Sequence, residues 1–261
     1  MVDRIEFGGS VKSLLFLFTC LSVLSFHHQT FSLCVAKYDK AEYRLMDDLA
    51  LAAGTDKSSE SHNYTKVYSQ YFKSSKDKPI RFLEIGIYRG DSVRFWENYF
   101  SKADLHFIDI TNQYIQYYSP RSQYHFLDQG DIPSLKRFAA QQEAFDVILD
   151  DGGHTMEQQI NSFLVLFSSV KPGGLYIIED LHTSYYMYGY GASRDHLGRP
   201  GNDTAIAFLK NLIDDVNFPG AATSCANPDK LPAELKAKMS NISQHIESIR
   251  FYSSVCIIEK K

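Results

Sequence analysis

From residue 80 onward, strand-length apolar runs alternate with helix-length amphipathic segments. That alternation predicts an α/β fold, a doubly wound, mostly parallel sheet of seven strands with a C-terminal antiparallel hairpin strand. Three observations carry the expectation. The apolar runs 145–149 and 175–178 are separated by one helix-length segment, 156–170, which ends at Lys171-Pro172-Gly173-Gly174; this is a β-α-β unit, so the two strands run parallel. Each run ends in acids, Asp150-Asp151-Gly152-Gly153-His154 and Glu179-Asp180, which parallel strands place on one sheet edge, where open α/β sheets bind their ligands. Finally, 246–252 and 255–259 are joined only by Ser253-Ser254, a spacing that makes them an antiparallel hairpin.

Three parts are expected along the chain: a hydrophobic leader over 1–35, a helical cap over 36–79, and an α/β domain over 80–261. In the leader, 14–26 is apolar except for Thr19, Cys20, Ser22 and Ser25, with Arg4 and Lys12 ahead of it. It falls short of the about 20 residues a membrane span needs. It has the length of a signal-peptide core, but His27-His28-Gln29 follows where a small-x-small cleavage site would stand. A signal peptide, an anchor touching a membrane through 11–26, a packing helix and an upstream extension all remain open. In the cap, 38–53 has helical spacing and stops at Gly54, a C-cap residue. A polar loop over 55–62, a short helix over 64–72 and a charged linker over 73–79 follow.

The domain's strands are expected at 80–85, 105–110, 124–127, 145–149, 175–178, 246–252 and 255–259, and its helices at 92–100, 132–142, 156–170, 204–216 and 233–239. With 261 residues and 44% hydrophobic content, one large core is feasible. A net charge of -4 leaves no basic footprint, so nucleic acid is not an expected partner. Cys20, Cys34, Cys225 and Cys256 have no CxxC or Cys/His spacing, which excludes a zinc motif, and Cys256 reads as a small core residue.

The first strand leads into Glu84-Ile85-Gly86-Ile87-Tyr88-Arg89-Gly90-Asp91-Ser92, a glycine turn that opens a helix. Such a turn lets the backbone and the helix N–H groups approach a ligand. Its spacing, E-x-G-x-x-x-G, is not the dinucleotide fingerprint. Asp109 ends the second strand about 20 residues on, where a carboxylate accepts ribose hydroxyls. Asp128-Gln129 ends the third, where polar side chains can read an adenine edge. Any one of these acids could simply cap a turn; acids at successive strand ends point to a site.

These motifs resemble the class I S-adenosylmethionine-dependent methyltransferases, whose sheet is Rossmann-like, from residue 80 to the C-terminus. The resemblance implies that Glu84, Gly86, Gly90 and Ser92 surround the methionine and ribose end of S-adenosylmethionine. It places Asp109 at the ribose, Asp128 and Gln129 at the adenine, and Asp150 near the methionine amino group or a metal. A narrower likeness comes from Gly54-Thr55-Asp56-Lys57, His62-Asn63-Tyr64 and Tyr68, with D-x-x-H at Asp151…His154 and Glu179-Asp180. These look like the mycinamicin and macrocin type sugar O-methyltransferases, in which the three acids bind Mg²⁺ and the histidine is the general base. Carried over, Asp151, Glu179 and Asp180 hold Mg²⁺ and His154 takes the proton. The chain is expected to depart from that group in its leader and in lacking a large N-terminal auxiliary domain, so substrate identity is not carried over.

The chemistry suits these residue types. A sugar hydroxyl is a poor nucleophile near neutral pH; a hard cation on carboxylates orients it and lowers its pKa, and an imidazole titrating near neutrality can accept the proton. His182 is a second, weaker base candidate. The tyrosine- and glycine-rich segment 185–191 reads either as a lid over the acceptor or as an ordinary surface loop, and Tyr114, Tyr117 and Tyr118 as packing around the cofactor's base. The expected partner is a small-molecule, sugar-containing acceptor, with a homo-oligomer left open. A catechol-like diol acceptor and a non-catalytic nucleotide- or sugar-binding module are the competing readings.

Overall fold

The computed structural model describes residues 38–186, 188–223, 230–237 and 239–261. The leader at 1–35, its membrane contact at 11–26, and Cys20, Cys34 and Cys225 lie outside the described residues. No helix among the described residues is long and apolar enough to cross a membrane.

The strands are β1 (Arg81–Ile85), β2 (Asp104–Asp109), β3 (Ser122–Phe126), β4 (Phe145–Asp150), β5 (Val170–Ile178), β6 (Ile246–Tyr252) and β7 (Val255–Lys260). They form one seven-stranded sheet in the order β3-β2-β1-β4-β5-β7-β6. The first five pair in parallel, and β7 runs antiparallel to both β5 and β6. The expected fold class is the observed one. Strand order reverses between β1 and β4, which opens a crevice at their carboxyl ends.

Each strand's alternation sorts its side chains into two cores. Phe82, Phe107, Leu149, Ile177 and Ile257 face one layer, with α3 (Asp91–Tyr99) packed on it. Leu83, Ile85, Ile108, Ile148, Ile178 and Ile258 face the other, with α4 (Ile132–Ala140), α5 (Met156–Leu166) and α6 (Ala205–Thr223). Cys256 is buried in the second core, and burial pushes its thiol well up.

The segment ahead of β1 shares the first core. α1 (Lys40–Ala53) starts at Asp39, whose carboxylate accepts from the Ala41 and Glu42 N–H groups, and ends on Gly54 at φ 79°, as a left-handed glycine cap should. α2 (Thr65–Phe72) lays Tyr68 and Phe72 against Trp96, with Phe72 also meeting Phe82 and Phe100. The two helices thus form a layer over the sheet beside α3, and carry the loop between them to the carboxyl edge.

Several boundaries differ from expectation. The helix expected over 156–170 stops at Leu166, a single 3-10 turn covers Phe167–Ser169, and β5 already begins at Val170. Lys171-Pro172-Gly173-Gly174 therefore interrupts a strand rather than closing a helix. Val170 pairs with Phe145 and Leu175 with Val147, so the residues between are looped out, as Pro172 without an N–H and Gly173 at φ 75° require. α6 runs to Thr223 with Pro219 inside it, past the expected end at 216, and α7 is only Ala233–Lys236.

Candidate active site

The glycine turn after β1 closes over the crevice through backbone approach. Gly86 has φ 104°, and a Cβ there would stand 2.0 Å from the Asp151 carbonyl oxygen; at Gly90, φ 90°, it would stand 2.4 Å from that of Tyr117. Only glycine fits both conformation and space. Gly86→Ala is expected to cost more than about 3 kcal/mol and to abolish cofactor binding, checked by denaturant unfolding and calorimetry.

Asp109 fixes the same turn. Its Oδ2 accepts the N–H groups of Ile87 (2.9 Å) and Tyr88 (3.0 Å), which hold Tyr88 at φ 48°. The result is a cavity of about 360 Å³ walled by Gly86, Ser92, Asp109, Asp128, Gln129 and Asp151. Thr55 and Asp56 from the loop between α1 and α2 also line it. Of the residues expected around the cofactor, Gly86, Ser92, Asp109, Asp128 and Gln129 line this cavity. Glu84 and Asp150 are wholly buried behind it, and Gly90 lies under the turn.

Strand alternation decides where those two acids go. Asp150 faces the second core, where Gln129 donates to it at 2.6 Å and Tyr176 at 3.5 Å; burial pushes its carboxyl up to about 7. Gln129 also accepts from the Gly153 N–H at 3.1 Å, so it braces the ends of β3 and β4 together. Glu84 faces the first core and accepts from Ser92 Oγ (2.8 Å) and Trp96 Nε1 (3.2 Å). Burial pushes it to about 7 against the pull of Lys57.

Lys57 is the residue sequence reasoning left without a role. Its ammonium is completely buried, bonded to Asp151 Oδ2, 3.0 Å from Glu179 Oε2 and 3.5 Å from Glu84 Oε1. Burial works against its charge, but the three carboxylates outweigh it and hold the ammonium protonated well above the ordinary lysine range. One cation cannot neutralise three acids in a buried space: burial raises both the Glu179 and Asp151 carboxyls, with repulsion from Asp151 adding to the first and from Asp56 to the second. The available signal was the place of Lys57 in the Gly54-Thr55-Asp56-Lys57 motif, in a polar loop just ahead of Tyr64 and Tyr68.

The acids expected to form one metal set divide. Both oxygens of Glu179 are taken, one by the Tyr68 hydroxyl and one by Lys57. Asp151 and Asp180 converge instead on His154, whose Nε2 lies 3.8 Å from Asp151 Oδ1 and 3.4 Å from Asp180 Oδ2. One donor atom from each of these three lies within 4.8 Å of the others. Neither of those two carboxylate oxygens meets an N–H or O–H donor among the described residues, so the two oxygens fit a hard cation with places left for water or substrate oxygens. The Tyr64 hydroxyl donates to Asp180 Oδ1 at 2.6 Å. Burial would raise Asp180, but Tyr64 and the imidazoles of His154, His62 and His182 overcome it and hold the carboxyl below its usual value.

His154 and Asp180 both sit in the left-handed region, at φ 55° and 57°. Strain of this kind, about 1 kcal/mol or more per residue, persists where neighbours over-determine the backbone. Thr183 Oγ1 supplies part of that restraint, donating to both the His154 and Asp180 carbonyls. His154 Nδ1 is enclosed with no partner among the described residues, and Nε2 is the nitrogen that faces the two acids. His182 is held by Ser254 at the hairpin tip. Of the tyrosines expected near the base, Tyr114 meets Tyr88 at the cavity rim, Tyr118 meets the edge of Tyr124, and Tyr117 donates to Glu97.

A family model described as a methyltransferase domain matches residues 83–181. The solved structure of the MycE methyltransferase from the mycinamycin biosynthetic pathway, in complex with Mg, SAH and mycinamycin VI, aligns with a TM-score of 0.68 and 28% identity, covering 82% of this chain and 54% of that one. The chain is 30% identical over 223 residues to the 8-demethyl-8-alpha-L-rhamnosyl tetracenomycin-C 2'-O-methyltransferase of Streptomyces olivaceus, covering 82% of this chain and 54% of that protein. It belongs to the class I S-adenosylmethionine-dependent methyltransferases. It is 30% identical over 207 residues to the mycinamicin VI 2''-O-methyltransferase of Micromonospora griseorubida, covering 76% and 48%. This methyltransferase chain thus spans about half the length of the curated relatives it matches.

Proposed function

We propose that the protein transfers the methyl group of S-adenosylmethionine to a hydroxyl of a sugar-bearing small molecule, with Mg²⁺ at the acid cluster. The observation that carries this reading is the position of Asp151. It walls the cofactor-sized cavity on one side and faces His154 and Asp180 on the other, so donor and acceptor chemistry share one residue. The relatives named above are O-methyltransferases of a rhamnosyl tetracenomycin and of mycinamicin VI, and the MycE structure holds Mg, SAH and mycinamycin VI.

In this reading the glycine turn and Asp109 position the cofactor, and Asp128 and Gln129 lie toward its adenine. Asp151 and Asp180 hold the ion. Glu179, the third acid of the expected set, holds Lys57 and through it the orientation of Asp151. When bound, the ion supplies charge that orients the acceptor hydroxyl and lowers its pKa. His154 Nε2 takes the proton from the hydroxyl oxygen as that oxygen attacks the methyl carbon. The sulfonium leaves as a neutral thioether, so alignment supplies much of the rate. Calorimetry with S-adenosylmethionine, followed by labelled-methyl transfer to a panel of glycosides with and without Mg²⁺, tests the reading. Binding and Mg²⁺-dependent labelling are expected; a chain that binds no cofactor would refute it.

A further inference from the structure

Five aromatic rings run outward from the acid cluster as one series. Tyr64, which donates to Asp180, stacks on His62 with centroids 5.0 Å apart, and His62 stacks on His182 at 5.6 Å. His182 meets Tyr186 at 5.2 Å, and Tyr186 meets Tyr190 at 5.7 Å. The rings come from the loop between α1 and α2 and from the segment after β5. A packing cluster would be covered, yet His62 and Tyr186 are exposed while Tyr64 at the inner end is buried. Ser254 fixes the central ring, His182.

The outer end of the series opens onto a second depression. Tyr190 walls a groove of about 550 Å³ together with Thr155, Met156, Glu157, Ile160 and Asp203. Thr155 is the residue after His154, and the Met156 N–H donates to the Tyr190 carbonyl at 2.9 Å, so the groove begins immediately past the proposed base. Its lining holds two carboxylates, Glu157 and Asp203, and among its described lining residues no lysine or arginine.

We propose that the ring series and this groove form the acceptor site, and that it selects neutral or amine-bearing glycosides over those carrying phosphate or carboxylate. The inference rests on the methyl-transfer reading and adds the acceptor's class to it. Aromatic faces are electron-rich, and the C–H face of a pyranose presents weakly positive hydrogens, so a sugar lies flat on the exposed Tyr186 ring, which meets His182 at an interplanar angle of 65°. That places its hydroxyl edge toward Asp180 and His154, and the rest of the molecule in the groove. Two carboxylates with no lysine or arginine among the described lining residues repel an anionic substituent and tolerate or attract an ammonium.

The test uses the full chain with SAH and Mg²⁺ present and three matched probes: 4-nitrophenyl glucoside, glucosaminide and glucuronide. Calorimetry and saturation-transfer NMR read binding independently of turnover. The glucuronide is expected to bind at least about tenfold more weakly than the other two. Glu157→Lys, at an exposed position on α5, should recover most of that difference for the glucuronide. Tyr186→Ala should weaken all three about tenfold while SAH affinity stays constant. Equal binding of the three probes to the unmodified chain, or a Glu157→Lys variant with the same selectivity, would overturn the acceptor site. Absent SAH binding in the same samples would instead overturn the methyl-transfer reading beneath it.

Discussion

Asp180→Asn is expected to lower turnover by about two to three orders of magnitude, because it removes charge from the oxygen that faces His154 while leaving the side chain's shape intact. The substitution is selective for a structural reason. Asp180 sits at φ 57°, a conformation asparagine tolerates as well as aspartate, so the backbone keeps its geometry. The Tyr64 hydroxyl can still donate to the amide oxygen. Unfolding free energy should therefore change by less than about 1 kcal/mol, and S-adenosylmethionine affinity by less than about threefold. Titration with Mn²⁺, read calorimetrically without substrate, should show divalent-ion binding weakened by at least about tenfold. A variant with normal ion binding and normal turnover would remove Asp180 from the ion site. One with normal ion binding but slow transfer would move its role to orienting His154.

Much of this arrangement was readable from sequence because strand periodicity is a strong signal. The seven strands and the closing hairpin follow from apolar runs and the lengths between them, whereas the strand order, with its reversal between β1 and β4, comes from the structure. What the runs could not reveal was register inside β5. A Lys-Pro-Gly-Gly sequence looks like punctuation, and only the pairing of Val170 with Phe145 shows that the strand resumes on both sides of it. In the site, side-chain direction was the missing variable. Glu179 and Asp180 are adjacent, so their side chains diverge: one reaches Lys57 and Tyr68 in the interior, the other Tyr64 and His154 at the mouth. A motif records both as acids at a strand end. Lys57 was harder still, because its partners lie 27, 94 and 122 positions along the chain at Glu84, Asp151 and Glu179, and no local pattern encodes such contacts.

A large and pH-dependent stability effect is expected from Lys57→Met, which keeps the length and the apolar stem and removes only the buried charge. Breaking a buried ion pair by deleting one partner commonly costs about 3–5 kcal/mol, since the other partner is left uncompensated. Here the orphaned acids, Glu179, Glu84 and Asp151, have an escape: they can take up protons. Protonating an ordinary glutamate with a pKa near 4.5 costs about 3.4 kcal/mol at pH 7 and less than about 1 kcal/mol at pH 5. The loss should therefore depend on pH, near 3 kcal/mol at pH 7 and about 1 kcal/mol at pH 5. The sign follows from proton counting. A carboxyl raised above its unfolded value binds more protons when folded, so stability falls as pH rises from the unfolded pKa toward the folded one. Lysine itself contributes no slope in this window, because Lys57 is charged in both states below its ordinary value of 10.5. Denaturant unfolding of Lys57→Met at pH 5 and pH 7 checks the slope, and adding Glu179→Gln should recover part of the loss at pH 7 by removing one orphaned charge. A destabilisation equal at both pH values would show that Lys57 holds the loop between α1 and α2 onto the sheet by packing, not by charge.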